Sequence, residues 1–161
     1  MSTVNPLSVG HVGITVSDLD RSVRFYRDAL GFEVSPPVQV SGPFFEQVTG
    51  VPGCVIDVVF ARGLGHVIEL LCFRAPADKK TSTLRACDPG FWHLCFKVKD
   101  IDRVVRTIRE SGFEALSEVQ TAVDPPVQGL RVVYARDPDG VVLEMIEEPP
   151  GLSLEQLYFN T

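Results

Sequence analysis

Apolar and polar positions alternate over residues 11–16. Val12, Ile14 and Val16 share one face, and His11, Gly13 and Thr15 the other, which is the period of a half-buried strand. The pattern recurs over 92–98, where Leu94, Phe96 and Val98 oppose His93, Cys95 and Lys97. The period then lengthens in both places. Leu19, Val23, Tyr26 and Leu30 fall at i, i+4, i+7 and i+11, and Ile101, Val104, Val105 and Ile108 form a similar stripe. A helix is therefore predicted behind each strand, with Asp18 and Asp100 as N-caps. Arg21, Arg24 and Arg27 fall away from the first stripe, interleaved with acids, and read as a solvated face. Farther on, strand-like runs 53–62 and 66–73 flank Gly63-Leu64-Gly65, and runs 130–136 and 141–147 flank Asp137-Pro138-Asp139-Gly140. Both read as hairpins. Pro36-Pro37 and Pro125-Pro126 mark loops, and residues 74–90 have no period.

The recurrence is a duplication. Residues 11–30 and 93–112, laid over each other at an offset of 82, share 8 of 20 positions. After loss of one residue, Gly31-Phe32-Glu33 matches Gly112-Phe113-Glu114, and Val67-Ile68-Glu69-Leu70 then matches Val142-Leu143-Glu144-Met145. Two copies of a unit of about 75 to 80 residues are too few and too long for a solenoid. The order in each copy is strand, helix, then two or three strands. This predicts an α+β protein with a mainly antiparallel, strongly curved sheet. The expected layout is one domain over 1–148, with module 1 at about 8–75, a linker at about 76–90 and module 2 at about 91–148. A tail follows over 149–161.

Composition narrows the function classes. At 161 residues, with 45% hydrophobic and 22% charged residues, the chain has enough apolar surface to fold without a disulfide or structural metal. A net charge of −6 argues against nucleic acid as a partner. No apolar run has membrane-spanning length, and the first ten residues lack the pattern of a secretory signal. Cys54, Cys72, Cys87 and Cys95 show no C-x-x-C spacing, so they are expected to be reduced, mostly buried thiols of a cytoplasmic protein.

Candidate chemistry sits at the duplicated positions. Of three histidines, His11 and His93 are equivalent, as are Glu69 and Glu144. Each glutamate interrupts an apolar strand, where an unpartnered carboxylate would be costly. Two imidazoles and two carboxylates suit a divalent ion such as Zn, Ni, Co, Mn or Fe. Four protein ligands in an octahedral site would leave two positions for water or substrate, which is a catalytic arrangement. His66 serves as a control. Three residues before Glu69 on a strand, it points to the opposite face, and its counterpart is Val141, so no metal role is assigned to it. Cys95 shares the His93 face and is expected to be a small buried thiol filling the sheet.

The duplicated strand–helix–strands unit, the strands of His11 and His93, and the run D-P-D-G-V-V-L-E-M at 137–145 resemble the vicinal oxygen chelate superfamily. That group includes glyoxalase I, methylmalonyl-CoA epimerase, extradiol dioxygenases, fosfomycin-resistance transferases and bleomycin-binding proteins. The resemblance covers residues 8–148. It implies tandem βαβββ modules around a U-shaped metal-binding cleft and a homodimer. It places His11, Glu69, His93 and Glu144 on the four ligand positions. Metal-free binding members lack this set, and the fosfomycin and extradiol types use two histidines and one glutamate. Bacterial glyoxalase I has His, Glu, His, Glu; the epimerase usually has Gln where Glu69 stands. The stretch after the first helix instead resembles epimerase-like members, and Glu46 falls near an extra acid of the epimerase.

The resemblance thus implies a divalent-metal-dependent isomerase or epimerase that moves a proton beside a carbonyl through an enolate or vicinal-oxygen intermediate. Glu144, Glu69 and Glu46 are the candidate acid–base residues. The alternatives are a glyoxalase I-type lyase, an Fe²⁺ extradiol-type dioxygenase and a non-catalytic small-molecule binder. The expected partner is a small carbonyl substrate. Phe44, Phe45, Phe91 and Trp92 are candidates for closing the site against water as well as for core packing.

Overall fold

The computed structural model describes residues 7–159. Part of the expectation about the N-terminus, at 1–6, and the end of the tail, at 160–161, lie outside the described residues. The chain divides into two compact units, 1–80 and 81–161.

In the first unit, β1 (Val12–Thr15) leads into α1 (Leu19–Arg24), which runs on as a π-helical turn (Phe25–Ala29). Next come β2 (Glu33–Val34), β3 (Val38–Ser41), α2 (Pro43–Thr49), β4 (Val55–Gly63) and β5 (His66–Ala75). The sheet runs β1-β5-β4-β2, with β3 also on β4; β1 is parallel to β5, and the other pairs are antiparallel. The second unit repeats the plan with β6 (Leu94–Lys97), α3 (Ile101–Glu110), β7 (Glu114–Ala115), β8 (Gln120–Thr121), β9 (Arg131–Arg136), β10 (Val142–Glu147) and α4 (Leu154–Phe159). Its order is β6-β10-β9-β7, with β8 also on β9 and β6 parallel to β10. The α+β expectation holds, its strands shared between two five-stranded mixed sheets.

Local signals explain most elements. The Asp18 side chain accepts from the Arg21 N–H at 2.9 Å, and that of Asp100 from the Arg103 N–H at 3.0 Å, so both predicted caps form. Ile101, Val105 and Ile108 are buried along α3, as its stripe requires. The first stripe is corrected. The π turn, with the Leu30 N–H donating to the Phe25 carbonyl, takes an extra residue to close and rotates the face. Phe25 and Tyr26 both become buried, packed edge to face with centroids 5.3 Å apart, while Val23 and Leu30 are only half-buried.

The segment around Glu46, for which the sequence pattern predicted no element, forms α2. Gly42, at φ +95°, lets the chain enter; Pro43 occupies the first turn, and Gly50, at φ +69°, ends the helix. On β4 and β5, Ile56, Val58 and Phe60 face the same side as Phe73, Leu71 and Glu69, their cross-strand partners. Phe45, Val40 and Val51 pack with Cys54, Ile56, Val58, Leu71 and Phe73. α2 thus covers the apolar part of the face that carries Glu69. Phe45 fills this cluster, whereas Phe44 is 69% exposed.

Candidate functional site

Strand register builds the same contact twice. In the parallel pair β1–β5, Gly13 lies opposite Glu69. His11, two residues before Gly13, projects from the same face just ahead of β1. Its Nε2 is 3.2 Å from Glu69 Oε2. In the parallel pair β6–β10, Cys95 lies opposite Glu144, and His93 is two residues before Cys95. Its Nε2 is 3.0 Å from Glu144 Oε2. The buried faces of β5 and β10 are set by Ile68 and Leu70, and by Leu143 and Met145. Alternation therefore turns both glutamates to the other face, where their side chains keep 20% and 15% exposure. Each carboxylate has the partner that its half-buried position demands.

The surroundings of the two pairs differ. Phe60, across from Glu69 on β4, meets the His11 ring edge-on at 6.0 Å and 75°. Tyr134, across from Glu144 on β9, lies over the His93 ring at 4.9 Å and 36°, and Phe91 lies 6.2 Å from the same ring. Burial, then the Glu144 and Cys95 charges, push the Tyr134 hydroxyl above its ordinary range, so it stays a neutral phenol. Cys95 is exposed, which corrects its expected burial. Its side chain lies on the edge strand β6, opposite Glu144 and on the face away from the buried Phe96. Desolvation, followed by the Glu144 charge, pushes the thiol up to about 12. Cys54 and Cys72 are buried; Cys87 is exposed, against the expectation of mostly buried thiols, because it lies in the irregular segment before β6.

Glu46 lies in the first turn of α2, its backbone N–H bonded to the Gly42 carbonyl, and joins neither imidazole–carboxylate pair. His66 begins β5 at the hairpin end, exposed and facing away from Glu69. Among the described residues, no cluster of three or more His, Cys, Asp or Glu side chains is assembled for a metal. The donor chemistry of each pair nevertheless fits a divalent ion, since an imidazole nitrogen and a carboxylate oxygen face each other within hydrogen-bond reach. Tyr134 and Phe60 were not singled out from the sequence. Counting outward from the two hairpin turns places each of them opposite a glutamate, and that is the signal that identifies them.

A model of the Glyoxalase/Bleomycin resistance protein/Dioxygenase superfamily matches residues 8–145, and the chain belongs to that family. It is 32% identical over 155 residues to a 2-epi-5-epi-valiolone epimerase of Actinomyces sp., covering 93% of this chain and 84% of that protein. It is 25% identical over 138 residues to the mitochondrial methylmalonyl-CoA epimerase of Mus musculus, covering 85% of this chain and 71% of the relative. Among solved structures, a glyoxalase family protein from Bacillus cereus superposes with a TM-score of 0.76 at 26% identity, over 92% of this chain and 98% of that one.

Proposed function

We propose that the protein is a divalent-metal-dependent isomerase of the epimerase type, moving a proton on a carbon next to a carbonyl. The observation that carries this reading is the His–Glu contact made in the same register in both units. In this reading His11, Glu69, His93 and Glu144 supply the metal ligands. When bound, the cation supplies Lewis acidity that makes the proton beside a carbonyl easier to remove.

The chain's own residues do the rest. His11 and His93 present imidazole nitrogens. Glu69 and Glu144 present carboxylates that accept a proton and return it. Epimerisation removes the proton from one face of the carbon and restores one on the other, and a duplicated chain supplies one acid per copy for the two faces. The likeness of 32% to a protein named as an epimerase, against 24–27% to relatives named as lactoylglutathione lyases or a glyoxylase I, supports this choice over the lyase chemistry of the same family.

The test follows deuterium. The protein is loaded in turn with Mn²⁺, Co²⁺, Ni²⁺ or Zn²⁺ and incubated in D₂O with 2-epi-5-epi-valiolone, then with methylmalonyl-CoA. NMR should detect deuterium on a carbon next to the carbonyl, together with a new epimer, and Glu69→Gln and Glu144→Gln should each slow exchange by about 10²–10⁴-fold. Loss of a methylglyoxal–thiol adduct, or oxygen uptake with a catechol, in the absence of exchange, would replace the epimerase with the corresponding reaction.

A further inference from the structure

The duplication also gives each half a matching arginine. In the first unit, Arg62 on β4 has Val67 of β5 and Glu33 of β2 as its cross-strand partners. In the second, Arg136 on β9 has Val142 of β10 and Glu114 of β7. Each lies two residues beyond the aromatic residue that faces a glutamate, Phe60 or Tyr134. Alternation therefore puts each arginine on the face of the imidazole–carboxylate pair. The register of β6 on β10 sets Leu94 beside Leu143, so His93, one step earlier, falls in one row with Val142 and Arg136.

The two arginines are engaged differently. Arg62 Nη2 lies 2.6 Å from Glu33 Oε2, an exposed ion pair that neutralises it. Arg136 makes no such pair with the exposed Glu114. Among the described residues its guanidinium has one acceptor, the Leu84 carbonyl, 2.6 Å from Nη2, and its Nε is buried without a partner. Lys97, also on this face, is neutralised by Glu148 at 2.9 Å. A buried N–H without an acceptor is costly, and the cost falls on only one of two duplicated positions.

We propose that Arg136 binds an anionic group of the carbonyl substrate, a carboxylate or a phosphate, which takes the place of the Leu84 carbonyl. This rests on the reading of the His–Glu pairs as the reaction centre, since the row shared with His93 is what sets the anion beside the reacting carbon. A guanidinium is a planar fork suited to two oxygens of one anion, and such charge-assisted bonds are stronger than a bond to a peptide carbonyl. Residues 76–85 contain no helix or strand, so the Leu84 carbonyl gives way without breaking a ladder. The substrate class narrows to carbonyl compounds that carry an acid, such as oxo acids, acyl thioesters with a second carboxylate, or phosphorylated ketones.

The test uses pyruvate, its neutral amide pyruvamide and inorganic phosphate as probes, at constant ionic strength, on the full chain with and without Co²⁺. In ¹⁵N-labelled protein the Arg136 Nε–H resonance, assigned by its loss in Arg136→Lys, should move with pyruvate or phosphate and not with pyruvamide. The Arg85 amide should move with it, because it shares a peptide unit with the Leu84 carbonyl. The stronger of the two anions tells a carboxylate from a phosphate. Arg136→Gln should weaken binding of that anion by about 10–100-fold. Arg136→Lys, which keeps the charge without the fork, should weaken it less, and Arg62→Gln should leave it unchanged. If Arg136→Gln does not fold, the wild-type titration and the Arg136→Lys affinity decide. An unmoved Nε–H, an equal response to pyruvamide, or equal losses in Arg62→Gln and Arg136→Gln would overturn the proposal. Deuterium exchange into methylmalonyl-CoA with an unmoved Nε–H would keep the isomerase and remove the anion site. A moving Nε–H without exchange in any substrate would do the reverse.

Discussion

Asp18 and Asp100 show how much a single side chain decides. Each sits one residue before a helix and satisfies a backbone N–H that has no partner inside the helix, at 2.9 and 3.0 Å. Replacing either by Ala should destabilise the fold by about 1 kcal/mol, and by Asn very little, as read from urea unfolding. The Arg21 N–H, aided by the positive charges of Arg21 and Arg24, holds the Asp18 carboxyl below its ordinary value of 3.8, against the opposing effect of desolvation. Because the folded value is depressed, the charged cap contributes fully above the unfolded value. Its contribution is lost as pH falls through the lower, folded value. The stability gap between wild type and Asp18→Ala should therefore stay constant near neutral pH and narrow in acid below 3.8. A gap that widened in acid would mean that the carboxylate is not the capping group.

At the scale of elements, the two hairpins carrying the glutamates are the informative comparison. Between β4 and β5, Leu64 at φ +52° and Gly65 at φ +75° make a two-residue turn of the kind that matches strand twist. Between β9 and β10, the Asp137 carboxylate accepts from the N–H groups of Asp139 and Val141 at 2.8 Å each, and Gly140 closes the turn at φ +86°. A Cβ at Gly65 would meet open space, whereas one at Gly140 would lie 2.1 Å from the Ser82 carbonyl oxygen. Gly65→Ala should cost about 1–2 kcal/mol, the strain of a left-handed residue alone. Gly140→Ala should cost about 2–5 kcal/mol, because backbone strain and overpacking add. Thermal unfolding should rank them so, and equal losses would remove Ser82 as the reason. Both turns were legible in the sequence, because glycine and aspartate there act through local geometry. The π turn and α2 were not. A single inserted residue in a helical stripe leaves Leu19, Val23, Tyr26 and Leu30 looking regular, and the signals for α2 are Gly42, Pro43 and Gly50, which read equally well as loop punctuation.

For the whole molecule, the duplication is both the most legible feature and the source of what was hidden. It exposed His11 with His93 and Glu69 with Glu144, since equal positions must carry equal geometry, and the two contacts of 3.2 and 3.0 Å follow. It hid the differences, because Gly13 against Cys95 and Phe60 against Tyr134 look like ordinary divergence until the strands are paired. The same duplication yields a test of how the copies share their work. If one ion takes ligands from both copies, it needs both histidines. His11→Ala and His93→Ala should then each abolish binding rather than halve it. Wild type at a free metal concentration of 100 times Kd should gain about 2.7 kcal/mol of unfolding free energy, and both variants should lose all of it. If each copy held its own ion, wild type would bind two per chain, and either single variant would keep one of them with a share of the stabilisation. Metal analysis beside thermal unfolding separates the cases. One ion per wild-type chain and none in either variant fits shared ligation, while a persisting ion in either variant would make the halves independent and remove the basis for paired acids at one substrate.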